Sequence, residues 1–139
     1  MVRRTSTLVA VFALFIAVTG AAPAEASAKK CNYNFAGGNG VACLQLTGSG
    51  LHVDNVRTDR QIWVWNIVCD YDSYVKFSHS GGTTIHGAPF HGGCNWWWLA
   101  YFDFPSAAGY WPDPTDVRGY WSDTLTAGFE YIRKVTIHA

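Results

Sequence analysis

From residue 41 to the C-terminus, short alternating apolar runs are cut at close intervals by turn-forming clusters. Gly48-Ser49-Gly50, Asp70-Tyr71-Asp72-Ser73, Ser80-Gly81-Gly82 and the stretch from Pro105 to Gly109 are the strongest breaks. Glycine, proline, aspartate and serine favour turns for separate steric and hydrogen-bonding reasons, and side chains along a strand alternate between two faces. Many short period-two runs between such breaks specify an all-β chain, a sandwich or open barrel. The spacing predicts strands over 41–46, 51–57, 61–69, 74–79, 95–104, 117–122 and 129–138, with 83–85 as a short addition. The expected fold is therefore a small antiparallel β-sandwich of about seven or eight strands.

The first residues read as a secretory signal. Arg3 and Arg4 precede an apolar run from Leu8 to Val18 that is too short to span a membrane, and Ala26-Ser27-Ala28 has the small-x-small cleavage pattern. Ala24-Glu25-Ala26 offers a second cleavage point. We expect removal of residues 1–28 and one secreted domain over 29–139, architecturally like other small exported bacterial domains. No later run is long and apolar enough for a transmembrane helix.

An exported chain sees oxidising conditions, so the four cysteines are expected as two disulfides. Three pairings are possible. Cys31–Cys43 with Cys69–Cys94 is favoured, because each pair joins segments that read as neighbouring strands. The shorter loop would contribute about 3 kcal/mol.

Charge is nearly balanced after residue 28, where eight lysines and arginines face nine acids. A nucleic-acid partner would call for a basic excess, so none is expected. The aromatic content is high: all seven tryptophans and all seven tyrosines follow residue 28. Trp96-Trp97-Trp98 cannot bury all three indoles on one face of a strand. Trp96 and Trp98 share a face with Ala100, Phe102 and Phe104 and are read as core, as are Trp63 and Trp65. Trp97 continues through Leu99 and Tyr101 to Asp103. Burying an indole is worth roughly 4–6 kcal/mol, so an outward tryptophan points to a ligand. Trp97, Tyr101, Trp111, Tyr120 and Trp121 are the expected platform, with Trp111 on a stiff loop around Pro112 and Pro114. The last strand should bury Phe129, Tyr131, Val135 and Ile137 and expose Glu130, Lys134, Thr136 and His138.

Catalytic signals are weak. After residue 28 the chain has one glutamate, Glu130, no Gly-x-Ser-x-Gly elbow, and cysteines expected to be oxidised. His79, His86 and His91 are weak metal candidates whose spacing fits no compact motif. Asp70 with Asp72, or Asp113 with Asp116, could contribute to a calcium turn but fit ordinary turn aspartates better. No metal and no cofactor are expected. The reading is a secreted non-catalytic binding module for extracellular polysaccharide or cell-wall glycan. The alternatives are a protein-directed effector, acting as an enzyme inhibitor or small antibacterial toxin on a secreted or cell-surface protein, and a structural coat protein. For an inhibitor, Trp111–Asp116 would be the inserting loop.

Overall fold

A computed structural model describes residues 27–63, 67–95 and 99–139. The expected signal segment through residue 26, Trp65 and the Trp96–Trp98 run lie outside the described residues. The expectations placed on them, Trp97 above all, therefore receive no structural account.

Ten strands follow one another: β1 (Ala28–Asn32), β2 (Val41–Ser49), β3 (His52–Gln61), β4 (Val68–His79), β5 (Gly82–Gly87), β6 (His91–Asn95), β7 (Leu99–Asp103), β8 (Gly109–Tyr110), β9 (Thr115–Ser122) and β10 (Glu130–Ile137). They form two antiparallel sheets. Sheet 1 has the order β1-β2-β3-β7, with β8 also on β3; sheet 2 has the order β10-β9-β4-β5, with β6 also on β4. The sheets approach at β1 and β10, where Arg133 Nε donates to the Cys31 carbonyl at 3.0 Å, but no ladder closes a barrel among the described residues.

The core lies between the sheets and follows from the alternation along each strand. Sheet 1 contributes Leu44, Leu46, Val53 and Val56; sheet 2 contributes Val75, Phe77, Val117, Trp121, Ile132, Val135 and Ile137. Gly119 faces this layer because a Cβ there would sit 3.3 Å from both Leu44 and Ile132. Both favoured disulfides are present. Cys31–Cys43 and Cys69–Cys94 each join residues directly opposite in register, with Cα separations of 4.0 and 3.9 Å.

A buried polar cluster ties the sheets together at one end. Arg60 and Asp123 are both shielded from solvent and paired at 3.1 Å. Arg60 also donates to the carbonyls of Gln61 and Asn39, while Asp123 accepts from Trp121 Nε1 and the Leu125 amide. Burial pulls the Arg60 guanidinium below its usual value, opposed by the charge of Asp123 and the hydrogen bond to it. Gly40 leaves room for this cluster, since a Cβ there would overlap the Gln61 carbonyl oxygen. Farther along, Thr58 Oγ1 and Ser73 Oγ hydrogen-bond across the sheets at 2.7 Å.

Several sequence expectations are corrected. The run 61–69 is not one strand: the chain leaves sheet 1 at Gln61 and enters sheet 2 at Val68. Trp63 is 50% exposed while its neighbour Ile62 is buried, so Trp63 is not a core residue. Likewise 95–104 divides between β6 on sheet 2 and β7 on sheet 1. Asp70–Ser73 is no turn but part of β4, with a bulge at Asp70 (φ 47°) whose carboxylate accepts from the Gly93 amide.

In β10 a bulge between Tyr131 and Lys134 shifts the register by one residue. A one-residue slip sends side chains to the opposite face. Ile132 is therefore buried, while Phe129 and Tyr131, expected inside, are 48% and 43% exposed.

Candidate binding site

The outer face of sheet 1 carries a shallow groove of about 230 Å³ lined by Lys29, Gln45, Arg57, Asp59, Leu99 and Tyr101, with Gln61 at one end. Register puts these residues together. Lys29, Gln45, Arg57 and Asp103 are successive partners across four strands, and Cys31, Cys43, Asp59 and Tyr101 form the next such row. Alternation then aims the groove residues away from the core.

Tyr101 is the centre of the groove. Its ring is 52% exposed, and the Arg57 guanidinium lies 4.3 Å from the ring centroid. Arg57 is held there by two parallel bonds to Asp103, Nε to Oδ1 at 2.8 Å and a terminal nitrogen to Oδ2 at 2.9 Å. Bidentate pairing fixes the guanidinium plane, so the cation–π contact is preorganised. The same bonds push Arg57 further up and hold the Asp103 carboxyl below its ordinary range, helped by Asn55. Across the groove, Lys29 Nζ pairs with Asp59 at 3.3 Å.

The other members of the expected platform do not join Tyr101. Trp121 is fully buried against Tyr71 and Phe102, so it is a core residue and not a platform residue. Trp111 is half-buried on Phe77, with ring centroids 4.0 Å apart, and its Nε1 donates to the Ala107 carbonyl. It closes one end of the sandwich and is not free to insert into a partner. Tyr120 lies on the outer face of the opposite sheet, stacked on Tyr74.

The three histidines diverge. His91 stacks on Tyr71, His79 Nδ1 accepts from the Gly81 amide, and His86 Nδ1 meets Ser106 Oγ at 3.0 Å. Asp72 accepts from the Ser73 amide and Asp113 faces His138 at 3.4 Å, while Asp116 binds Thr136, Lys134 and Arg118. Among the described residues no three histidine, cysteine or acidic side chains converge.

A wider hollow of about 460 Å³ at the ends of β4, β9 and β10 is lined by Ser78, His79, Pro114, Lys134 and His138 among others. It has no phenol or indole in its lining for stacking, so the smaller groove on sheet 1 is the better candidate site.

His86 supplies a pH dependence of stability. Its ring packs edge-on against Phe77 and Trp111, and burial lowers its pKa from the usual 6.5. The unfolded chain then binds the proton more readily than the folded one. The contribution of a neutral His86 is complete above pH 6.5 and is lost as pH falls through the lower folded value. Thermal melts from pH 7.5 to pH 4.5 should show a decline below about 6.5 that His86→Gln reduces. An unchanged slope in that variant would assign the decline to other groups.

Comparison with family models, with curated proteins and with solved structures finds no match for this chain. Fold and groove together define a disulfide-stapled β-sandwich whose sheet 1 carries a polar and aromatic outer groove.

Proposed function

We propose that this protein is a small secreted, non-catalytic binding module that holds extracellular polysaccharide or cell-wall glycan in the sheet 1 groove. The observation that carries the reading is Tyr101, a half-exposed ring backed by a locked guanidinium and flanked by carboxylate, amide and ammonium groups. Sugar rings present C–H faces that pack on aromatic rings, while their hydroxyls need donors and acceptors nearby. Gln45, Gln61, Asp59 and Lys29 supply both. Trp97, two residues before Leu99 in the sequence, remains a proposed ligand contact.

Secretion is supported by the N-terminal signal pattern and by two disulfides, which persist in oxidising compartments. Among the described residues no helix is long and apolar enough to cross a membrane. The non-catalytic part of the reading rests on how the acids are used. Glu130 accepts from the Ala36 amide, Asp59, Asp103, Asp116 and Asp123 are held in ion pairs, and Asp70 accepts from the Gly93 amide.

The test is retention of the oxidised protein on insoluble chitin, cellulose and peptidoglycan. At least one matrix should retain it, and Tyr101→Ala should weaken retention about tenfold, the loss of one aromatic contact with its buried area. Arg57→Lys should weaken it less, because the ring and the positive charge remain and only the bidentate clamp is lost. Wild-type retention by Tyr101→Ala would remove the groove from the binding function.

A further inference from the structure

The outer face of sheet 2 carries two parallel rows that the groove does not use. Tyr131, Tyr120 and Tyr74 are successive cross-strand partners on β10, β9 and β4, and the row ends at Gly87 of β5, which has no side chain to block it. One residue pair farther along the strands, Lys134, Arg118 and Lys76 form a second row in the same register. Same-face neighbours along a strand are about 6.6–7 Å apart, so cations and phenols stand side by side.

The ring geometry decides what such a face can recognise. Tyr74 and Tyr120 lie nearly parallel, 14° apart with centroids separated by 4.5 Å, and Phe129 meets Tyr74 edge-on at 5.0 Å. Tyr131 leans on Tyr120 from the other side at 5.7 Å. The stacked pair therefore covers one face of each ring, leaving the rims and hydroxyls as the pair's remaining contacts. An aromatic face is electronegative and its rim electropositive, so rims favour anions. Burial raises the Tyr74 phenol, with the neighbouring Tyr120 phenol acting in the same direction, which keeps it a neutral hydroxyl donor.

The balance of charge on the face points the same way. Asp116 pairs with Lys134 at 3.2 Å and with Arg118 at 3.4 Å, so one carboxylate serves two cations, and the outward Asp72 lies beyond the tyrosine row from the cations, leaving three cations against two carboxylates. Lys76 has no ion pair among the described residues. The chain's near-zero net charge conceals this row, because Lys29 and Arg57 are matched to separate carboxylates on sheet 1 and Arg60 to Asp123 in the interior.

We propose that the tyrosine and cation rows on the outer face of sheet 2 form a second binding site, for a linear acidic polysaccharide bearing carboxylate or sulfate groups. Cations and phenol hydroxyls meet the anionic groups, and the sugar backbone lies along the rims. A single-stranded nucleic acid is disfavoured, because its bases bind by stacking on open ring faces and Tyr74 and Tyr120 already turn one face each to the other. The site does not depend on the sheet 1 groove and can fail or stand independently of it.

Titration of the oxidised protein with polygalacturonate and with heparin tests the site, with dextran as a neutral control, single-stranded oligothymidylate as a nucleic acid and phosphatidylglycerol vesicles as an anionic surface. Polygalacturonate or heparin should bind saturably in 50 mM salt and weaken on the order of tenfold in 300 mM salt, as expected for solvent-exposed charge pairing. Lys76→Gln disrupts no ion pair in the fold and should weaken binding about two- to fivefold. Asp116→Asn should strengthen it by freeing Arg118 and Lys134, with circular dichroism confirming that both variants fold. Tyr101→Ala should leave this binding unchanged while reducing retention on insoluble glycan. Failure of both polysaccharides to bind, indifference to Lys76→Gln, or equal or tighter binding of the oligonucleotide or the vesicles overturns the proposal.

Discussion

Asp123→Ala should lower the free energy of unfolding by about 3–5 kcal/mol, the cost of leaving a buried charge without its partner. Arg60 and Asp123 are both shielded from solvent, and Asp123 also anchors Trp121 Nε1 and the Leu125 amide. Removing the carboxylate thus strands a guanidinium, an indole N–H and a backbone N–H together. Isolated domains usually hold only about 5–15 kcal/mol in total, so the variant stands close to the edge of folding. Urea unfolding followed by circular dichroism measures the change. The double variant Arg60→Met, Asp123→Leu provides the control. It leaves no uncompensated charge and should recover much of the loss, since apolar pairs often replace buried ion pairs at little cost. A single-variant loss below about 1 kcal/mol would mean that the buried pair does not hold the sheets together.

Trp121→Ala is expected to cost a similar amount, about 3–5 kcal/mol, through lost burial and the cavity left behind. Its indole lies nearly parallel to Tyr71, 8° apart with centroids separated by 5.5 Å, and contacts Phe102 of the opposite sheet. The losses in the Asp123 and Trp121 variants should not add, because the two residues share a hydrogen bond. The functional readout separates packing from recognition. Per folded molecule, Trp121→Ala should be retained on glycan like the wild type, whereas Tyr101→Ala should not. Retention lost in both would mean that the groove depends on the core behind it and that Tyr101 is not its specific contact.

The two faces of the sandwich divide the surface chemistry. On sheet 1, cations are matched by carboxylates and one ring stays open, which suits neutral sugar rings. On sheet 2, two rings stack on each other beside a cationic row that is only partly neutralised, the chemistry proposed to meet acidic groups. The same strand alternation that builds one core therefore presents two outer faces of different chemistry. A module of this kind could hold a neutral glycan and an acidic polymer on opposite sides, and the two sets of variants test each side alone.

How much of this was legible from residues alone varies from element to element. The all-β class, the sandwich and both disulfides followed from turn spacing and from cysteines in facing strands. Tyr101 was legible because its alternation with Ala100 and Phe102 holds through β7. Asp70–Ser73 misled because aspartate and serine are turn residues by composition. Yet Tyr71 and Ser73 face inward while Asp72 faces outward, the period of a strand. Phe129 and Tyr131 misled for the opposite reason: the pattern looked regular, and a bulge broke it. The tyrosine row joins residues 74, 120 and 131, which no short window contains, so no local signal announced it.

Sequence by itself determined the local quantities: which segments extend, where most turns fall, which cysteines can meet, and that too many aromatics are present for one small core. Those follow from single-residue conformational preference and period-two alternation, which act over a few residues. Tertiary structure decided which aromatics are spent inside and which face outward. Trp121 went to the core, Trp111 closed an end of the sandwich, and Tyr131 was turned outward by one inserted residue. The physical reason is that exposure of a strand residue depends on register and on what packs across from it. Register is fixed only when two distant strands pair and the sheets close on each other.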